Sequence, residues 1–322
     1  MQGKALPERS ASPVYVGVDV CKDHLDVFLH PLGKHLRVAN GSDGLRRLKR
    51  ALAGLDVALV IMEATGKYHR LAQRSLAQAG FAVAIVNPLR ARLFAEAAGA
   101  LAKTDRVDAK MLAILGEALA PQARPVASEA LEALQELVRA HSAATTERTA
   151  LINRLAASRT AFLKAELRRR LKSVEGHLKR LHATIDKHIA ADPRLARRRE
   201  ILVSIPGIGP TVAANLLTDL AELGSLDRRA IASLAGLAPF ADDSAGTRGQ
   251  RRIRGGRAHA RRSLYCAALS AARYNRQLGT FYRRLREAGK KPKVALTAVM
   301  RKLVVLANTL ITENRLWVPI YA

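Results

Sequence analysis

Five short runs of apolar and β-branched residues fill most of residues 14–87, and no other feature limits the fold of this chain as strongly. They are VYVGVDV (14–20), HLDVFLH (24–30), KHLRVAN (34–40), DVALVIM (56–62) and FAVAIVN (81–87). Runs of this length, bounded by polar or Pro/Gly-containing segments, are typical of β-strands. The first three are separated only by short turns, which predicts an antiparallel meander.

Helix-type segments lie between and after the later runs. Helices are expected over residues 42–53 and 68–79, with further helix to about Leu119. The order β-β-β-α-β-α-β-α is that of the RNase H-like fold, a mixed sheet with helices on its faces. The N-terminal part is therefore predicted to be α/β, with its first and fourth strands side by side.

Residues 128–190 contain no proline and no strand-type run, and a helical connector is expected there. Apolar residues recur at alternating spacings of four and three, the a/d pattern of a coiled coil. They are Leu167, Leu171, Val174, Leu178, Leu181 and Ile185. One long helix is expected to turn back near residues 158–162. Two interpretations stay open: an antiparallel pair that dimerises, or a stripe that packs within the chain.

The pattern changes after Asp192 and Pro193. The chain is therefore predicted to have three parts: an α/β domain (1–125), a coiled-coil connector (126–192) and an all-α C-terminal domain (193–322).

The segment ILVSIPGIGPTVAANLL (201–217) has the pattern of a helix-hairpin-helix. Glycines let a backbone approach a phosphate closely, and the first turn of a helix offers unpaired N–H groups. Gly207, Gly209 and Thr211 are therefore candidate contacts to a nucleic-acid backbone.

Basic residues far outnumber acidic ones, with 54 Lys and Arg against 27 Asp and Glu, which gives a net charge of +27. The positive electrostatic field of such a chain attracts polyanions. Residues 244–286 contain twelve arginines and no acid. Candidate nucleic-acid contacts in this stretch are Arg248, Arg251, Arg252, Arg254, Arg257, Arg261 and Arg262. The alternative is a basic surface that serves solubility alone.

Several classes of protein and site are not expected. No apolar run approaches the length of a membrane span, and residues 1–13 lack a signal-peptide pattern, so a cytoplasmic protein is predicted. Cys21 and Cys266 match no zinc-ligand spacing and suggest no disulfide framework. His24 and His259 are interpreted as ordinary surface or helix residues.

Four carboxylates stand where a solvated surface acid is not expected. Asp19 interrupts the apolar run VGVDV, and Glu63 ends the run ALVIME. Asp105 and Asp108, three residues apart, share one face of a predicted helix. Neighbouring first and fourth strands would bring all four together, and converging carboxylates repel unless they hold cations. Magnesium is the oxygen-preferring metal that suits phosphoryl transfer, and two Mg²⁺ ions are expected.

Six segments resemble the DEDD transposases of bacterial insertion sequences, the insertion sequence 110 family. They are VGVDVCKDHLDV, IMEATGKY, VNPLRARLFAEAAGALAKTDRVDAKMLA, SIPGIGPTVAANLL, LAGLAP and RRSLY. They occur in the family's order, and the match runs from about Tyr15 to Thr309.

This resemblance implies an N-terminal domain similar to the Holliday-junction resolvase RuvC, a coiled-coil connector and a C-terminal transposase domain. Asp19, Glu63, Asp105 and Asp108 fall on the family's metal-binding tetrad, here called the acidic tetrad. Ser244 matches the family's serine nucleophile, with Thr247 as the fallback. In members of this family the serine attacks a DNA phosphate to give a covalent phosphoserine. The resemblance further implies guidance by a noncoding bridge RNA and action as a dimer or larger homo-oligomer.

Three functions follow from these features. The first is an RNA-guided DNA recombinase that moves its own insertion sequence. The second is a RuvC-like, structure-selective nuclease that uses a metal-bound water and does not need Ser244. The third is a non-catalytic nucleic-acid binder, against which the strand-embedded Asp19 and Glu63 argue.

Overall fold

A computed structural model of the chain describes residues 12–64, 66–100, 104–123, 125–240 and 252–319. The chain divides into two compact units, residues 1–127 and 128–322, which are described separately. The first contains a β-sheet with helices, and the second is mainly helical. The chain is thus mixed α/β, as predicted.

The first unit is built on a five-stranded sheet. Its strands are β1 (Val14–Val20), β2 (His24–His30), β3 (Lys34–Ala39), β4 (Val57–Glu63) and β5 (Val83–Val86). Their order across the sheet is β3-β2-β1-β4-β5. β1, β2 and β3 form an antiparallel meander, while β4 pairs in parallel with β1 and β5. The predicted strands, the meander and the β1–β4 neighbourhood are confirmed.

Helices cover both faces of this sheet. α1 (Ser42–Leu52) and α2 (His69–Gln78) pack on the face that carries Val16 and Val18. α3 (Pro88–Ala97) and α4 (Asp105–Leu119) pack on the other face, against Ile61 and Tyr15. Side chains alternate between faces along a strand, so Asp19 lies on the α4 side of β1.

The second unit begins with a helical hairpin. α5 (Glu129–Ala157) is capped by the Ser128 hydroxyl, which accepts the Leu131 N–H, and α6 (Ala161–Ala191) returns beside it. Arg148 Nε donates to Glu175 Oε1 at 3.1 Å, and the rings of His141 and His182 lie 6.3 Å apart. These pairs run in opposite chain directions, so the two helices are antiparallel. The turn falls where it was predicted.

The remaining helices share one large core with the hairpin. They are α7 (Pro193–Ser204), α8 (Pro210–Asp219), α9 (Arg228–Leu234), α10 (Ala258–Tyr274), α11 (Arg276–Glu287) and α12 (Pro292–Thr312). Leu134 of α5 and Ile189 of α6 are buried in the same cluster as Leu202, Leu264 and Val299. The open end of the hairpin is thus anchored in the fold of the later helices.

A two-stranded antiparallel ribbon also occurs in this unit, between β6 (Pro239–Phe240) and β7 (Arg252–Ile253). The prediction of a purely helical C-terminal domain is wrong at this point. Two-residue strands are too short to produce a recognisable alternation in the sequence.

One helix among the described residues, α12, is long and apolar enough to cross a membrane, and half of its most apolar stretch is buried in the fold. The expectation that no stretch would pass this test is therefore corrected. The buried face of α12, which includes Val299 and Leu303, belongs to the core of the second unit. Burial in that core accounts for its apolar composition.

Candidate active site

The site begins at the carboxyl ends of two neighbouring parallel strands. Val18 of β1 is paired with Met62 of β4, so the next residue of each strand, Asp19 and Glu63, lies side by side at that edge. Ile61, two residues before Glu63, packs on the α4 side of the sheet. Alternation therefore sends Glu63 to the same face as Asp19.

The other two acids lie in the first turn of α4. Thr104 caps this helix through its hydroxyl, which accepts the Val107 N–H at 3.3 Å, so that Asp105 and Asp108 begin the helix. Negative side chains in a first turn are stabilised by the helix dipole. The predicted helix start at these two residues is confirmed.

Two glycines let α4 lie directly on the sheet. A Cβ atom on Gly17 would lie 2.0 Å from the carbonyl oxygen of Ala109, and one on Gly116 would lie 2.2 Å from Cδ1 of Ile61. Both contacts are far shorter than any side chain permits. Gly17, two residues before Asp19 on the same strand face, thus brings the start of α4 over the strand ends.

The charges of the other three acids raise the pKa of Asp19. The pKa of Asp19 is raised to about 6, most by burial and then by the carboxylates of Asp108, Asp105 and Glu63, in that order. A hydrogen bond from the Val20 backbone acts in the opposite direction. The structure thus brings Asp19, Glu63, Asp105 and Asp108 into one electrostatic cluster.

An arginine on β3 supports one side of this cluster. Arg37 is paired across β2–β3 with Asp26, and its Nε and Nη2 each donate to that carboxylate at 2.8 Å. Nη2 also donates to Asp105 Oδ2 at 3.3 Å. Asp26, only 7% exposed, is thus a buried acid with a bidentate partner. The Arg37 guanidinium joins Asp26 to the acidic tetrad.

The turn between β1 and β2 adds two further side chains. His24 Nε2 lies 3.6 Å from Asp105 Oδ2 and 3.3 Å from Asp26 Oδ2. Cys21 is half-buried, and burial, followed by the charges of Asp19, Asp105 and Asp26, raises its thiol pKa. The interpretation of His24 as an ordinary surface residue is wrong, because its ring faces the acids.

The donor set of the acidic tetrad suits a hard divalent cation. All four groups offer carboxylate oxygens, the ligands that Mg²⁺ prefers. Burial and then the neighbouring carboxylates raise the pKa of Asp19, and a bound cation would offset the negative charge of those neighbours. The residues present therefore fit a magnesium site.

The turn of residues 205–209 joins α7 to α8. Gly207 has a φ of +110°, and a Cβ on it would lie 2.5 Å from Cβ of Ala271 on α10. Gly209, the N-cap of α8, faces open space, and Thr211 is exposed in the first turn. Packing on α10 is thus sufficient reason for Gly207, whereas Gly209 and Thr211 are accessible from outside.

The predicted arginines that the structure describes differ in their surroundings. Arg252 is exposed on β7, and Arg254 stacks over Phe240 with its Cζ 5.6 Å from the ring centre. Arg257 binds the Glu222 carboxylate and the Asp219 carbonyl. Arg261 donates to the Gly255 carbonyl at 2.7 Å.

Arg262 lines a cavity of about 570 Å³ beside α5 and α10. His259 lies in the same wall, with Nδ1 bonded to the Asp219 carboxylate and Nε2 3.0 Å from Ser142 Oγ. Arg139 adds a further positive charge to the lining. His259 therefore links α5, α8 and α10, a role that its sequence context did not indicate.

Comparison with known protein families agrees with this geometry. Residues 16–161 match a family model of transposases, the DEDD transposases of IS110, and residues 199–283 match the transposases of the IS116/IS110/IS902 family. The four acids lie in order within the first match. The protein belongs to the IS110 family of transposases.

Curated relatives of this transposase extend along nearly its whole length. The pilin gene-inverting protein of Moraxella bovis is 27% identical over 329 residues, covering 94% of this chain and 97% of the relative. The protein of the same name from Moraxella lacunata has the same identity and coverage. An uncharacterized 42 kDa protein of insertion element IS900 from Mycobacterium paratuberculosis is 32% identical over 133 residues, which are 39% of this chain and 32% of that protein.

The family makes this transposase an enzyme that acts on DNA, and DEDD transposases imply dependence on a divalent metal. A non-catalytic nucleic-acid binder, the third function considered, is therefore excluded.

The predicted nucleophile of the transposase falls outside the described residues. Ser244, Thr247, Arg248 and Arg251 all belong to residues 241–251. The described chain on either side of this segment is the β6–β7 ribbon, in which Phe240 pairs with Arg252. The assignment of Ser244 therefore stays a prediction.

Sequence reasoning missed the groups that surround the tetrad. Gly17, Cys21, His24, Asp26 and Arg37 were not singled out as site residues. For Gly17 a signal was available, since a glycine inside an apolar strand often marks a close backbone approach. For the other residues, only the strand register shows which side chains meet.

Proposed function

We propose that this transposase is a magnesium-dependent, RNA-guided DNA recombinase that exchanges strands through a covalent phosphoserine at Ser244. The observation that carries the proposal is the clustering of Glu63, Asp105 and Asp108 around Asp19, whose pKa they help to raise to about 6. A half-buried carboxylate surrounded by three others has little structural purpose without a cation.

In this proposal the acidic tetrad is both the catalytic centre and the metal site. Asp19 and Glu63 hold fixed positions at the strand ends, and Asp105 and Asp108 approach from α4. Two bound Mg²⁺ ions would supply charge stabilisation at the phosphoryl group during displacement. Arg37 keeps the Asp105 carboxylate oriented towards the strand ends through its 3.3 Å hydrogen bond.

The proposed chemistry at Ser244 is a phosphoryl transfer. Its Oγ forms a bond to the phosphorus of a DNA phosphodiester, one phosphorus–oxygen bond to a deoxyribose breaks, and the hydroxyl proton ends on the departing oxygen. Arginines close to Ser244 in the sequence offset the charge that develops on the phosphate. Reversal of the step with a different deoxyribose hydroxyl rejoins the strand and regenerates the serine, which is a strand exchange without net hydrolysis.

The name of the Moraxella relatives supports recombination over simple cleavage. Each is called a pilin gene-inverting protein, and inversion requires that cut strands be rejoined in a new order. A nuclease that transfers strands to water would not complete that reaction. We therefore rank the recombinase above the RuvC-like nuclease.

The proposed nucleic-acid surface lies on the second unit. Gly209 and Thr211 at the start of α8 suit a backbone phosphate, as a helix-hairpin-helix would present one. Further phosphates would be neutralised by Arg252, Arg254, Arg261 and Arg262, with Arg248 and Arg251 from the segment that contains Ser244. Arg257 already has two protein partners, so its contact with nucleic acid stays a prediction.

Guidance by RNA is proposed because the resemblance to the family implies a bridge RNA, and the abundant positive charge of a chain without a recognisable base-reading motif is consistent with it. Backbone contacts position a protein on DNA without specifying sequence. A noncoding bridge RNA that pairs with both DNA partners would supply the missing specificity.

A homo-oligomer, a dimer or tetramer, is proposed to form through the connector hairpin. Phe162 is 73% exposed, and Leu163 and Ile152 are also exposed near the hairpin turn. Within the chain, the α6 stripe is only partly buried from Leu167 to Leu178. An apolar tip and a half-covered stripe are suited to pairing with a second copy. The proposed domains remain 1–125, 126–192 and 193–322.

The experiment that tests the function is a covalent-adduct assay. The full chain is incubated with DNA flanking its gene, with RNA transcribed from those flanks and with Mg²⁺, then quenched in detergent. The proteins compared are wild type, Ser244→Ala, Thr247→Ala, Asp105→Ala and the control Ser225→Ala, an exposed serine whose hydroxyl donates to the Glu222 carbonyl.

Wild type, Thr247→Ala and Ser225→Ala are expected to form a protein–DNA adduct, and mass spectrometry should locate the phosphate on the Ser244 peptide. Ser244→Ala and Asp105→Ala should form none. Omission of the RNA should abolish the adduct on specific DNA. Cleavage without an adduct, equally efficient in Ser244→Ala, would establish the nuclease instead.

A further inference from the structure

Three different metal-ligand side chains meet next to the acidic tetrad. One ligand atom each of Cys21, His24 and Asp105 can be chosen so that all lie within 4.8 Å of one another. They offer a sulfur, a nitrogen and an oxygen, whereas the tetrad offers oxygens alone. This cluster, here called the Cys–His–Asp cluster, is a second potential ligand set that shares Asp105 with the first.

The turn between β1 and β2 holds Cys21 and His24 in place. The Cys21 N–H donates to the His24 carbonyl at 3.0 Å. Asn40 Nδ2 donates to the Cys21 carbonyl at 2.9 Å, and the Asn40 N–H donates to the Asp23 carbonyl at 3.0 Å. Two residues separate Cys21 from His24, a spacing at which one turn can chelate one ion. The chelate is therefore largely preorganised by backbone hydrogen bonds.

His24 provides an independent indication of a missing ligand. Its Nε2 atom is buried and makes no hydrogen bond to any part of the chain that the structure describes. It nevertheless lies 3.3 Å from Asp26 Oδ2 and 3.6 Å from Asp105 Oδ2. A buried ring nitrogen without a hydrogen bond is costly, and a cation between this nitrogen and the Asp105 carboxylate would satisfy both.

The chemistry of these donors selects a particular class of ion. Thiolate and imidazole favour borderline d-block cations, while Mg²⁺ prefers oxygen and retains water. Thiolate ligands favour Zn²⁺, so Zn²⁺ is expected to displace Co²⁺ from such a set. Binding would release the Cys21 thiol proton to solvent.

We propose that Cys21, His24 and Asp105 form an inhibitory site for Zn²⁺ or a similar borderline divalent cation. An ion there would take Asp105 out of the acidic tetrad and so prevent Mg²⁺-supported strand cleavage. The inhibitory effect rests on the proposed function, whereas the binding site does not. Arg37, which donates to Asp105, must yield part of that contact when the ion binds.

The experiment is a Co²⁺ titration of the full chain in excess Mg²⁺, followed by absorbance in the near-ultraviolet region where thiolate-to-Co²⁺ charge transfer appears. The proteins are wild type, Cys21→Ser, His24→Ala and Cys266→Ser. Cys266 lies on α10 in the other unit and is exposed, so it controls for loss of a thiol. Zn²⁺ is then added to displace the Co²⁺.

Wild type and Cys266→Ser are expected to bind one Co²⁺ with a charge-transfer band that Zn²⁺ removes. Cys21→Ser should lose the band, and His24→Ala should bind at least about tenfold more weakly, since even residues that only support a ligand contribute that much. Thermal melts of each variant establish that it is folded. Absence of the band in wild type, or its persistence in Cys21→Ser, would overturn the proposal.

A second measurement tests the shared role of Asp105. Adduct formation in Mg²⁺ is followed against Zn²⁺ concentration, with each protein normalised to its own zinc-free value. The half-inhibitory concentration should rise at least about tenfold in Cys21→Ser and stay unchanged in Cys266→Ser. Equal inhibition of both would overturn the inhibitory role. A Co²⁺ band without any adduct would retain the metal site and refute the recombinase, so the two failures are distinguishable.

Discussion

Gly17 on β1 lies directly beneath the backbone of Ala109 on α4, with room between them for a hydrogen atom and no more. A Cβ on Gly17 would lie 2.0 Å from the Ala109 carbonyl oxygen and 2.5 Å from the Ala113 nitrogen. This contact sets the distance between the strand that carries Asp19 and the helix that carries Asp105 and Asp108.

Gly17→Ala is expected to destabilise the protein by about 3 kcal/mol or more, because both clashing atoms belong to the backbone and neither can rotate away. Displacement of α4 should also weaken Mg²⁺ binding. Urea unfolding and isothermal titration with Mg²⁺ measure the two effects. Gly41→Ala, where an added Cβ meets open space, is the control and should cost less than about 1 kcal/mol. Equal losses for both variants would show that the close approach of α4 is unimportant.

Asp19→Asn is expected to raise the melting temperature of the metal-free protein at neutral pH. The folded-state pKa of Asp19, about 6, is above its ordinary value of 3.8. The protonated carboxyl therefore stabilises the folded state at low pH, and this contribution is lost as the pH rises through about 6. The advantage of Asp19→Asn should shrink as the pH falls below 6, and Mg²⁺ should reverse it.

Melting curves in EDTA across this pH range test the effect, with the exposed Asp23→Asn as the control. If Asp19→Asn were less stable than wild type at neutral pH without metal, the carboxylates would not repel at this site.

Arg37→Gln is expected to lower the melting temperature, because it leaves the buried Asp26 carboxylate without its bidentate partner. The double variant Asp26→Asn/Arg37→Gln should recover part of the loss, since a neutral amide tolerates burial better. A double-mutant cycle of thermal melts measures the coupling. If the effects of the two substitutions on stability were additive, the Asp26–Arg37 interaction would contribute nothing to the stability of the fold.

Gly209→Ala should weaken binding to duplex DNA and leave the melting temperature nearly unchanged, because its Cβ would face open space where a phosphate is proposed to approach. Gly207→Ala should instead lower the melting temperature, since its φ is +110° and its Cβ would lie 2.5 Å from that of Ala271. Fluorescence anisotropy and thermal melts separate these outcomes. Undiminished DNA affinity in Gly209→Ala would remove α8 from the proposed interface.

The elements that sequence reasoning predicted well are those with a local cause. The strands of the sheet follow β-branched runs, and the start of α4 follows its threonine cap. The β1–β4 neighbourhood, and with it the approach of Asp19 to Glu63, followed from the order of elements. These features depend on short stretches of chain and on a fold with few alternatives.

The features that sequence reasoning missed depend on strand register and on contacts between residues far apart in the chain. Asp26 meets Arg37 only because the turn after β2 sets the pairing of β2 with β3. His24 reaches Asp105 through the placement of α4, which Gly17 determines. Gly207 was interpreted as a phosphate contact, yet its neighbour is Ala271, from a helix far along the chain. No pattern within one segment reveals such a meeting.

The antiparallel hairpin of α5 and α6 has a length that neither helix can change alone. The 29 residues of α5 make a rod of about 44 Å at 1.5 Å per residue, which matches the length of about thirteen base pairs of duplex DNA at 3.4 Å each. Because α6 returns along α5, the rod can change length only when both helices lose or gain the same number of turns. The separation between its anchored end and its apolar tip is thus fixed by two segments of sequence that must vary together.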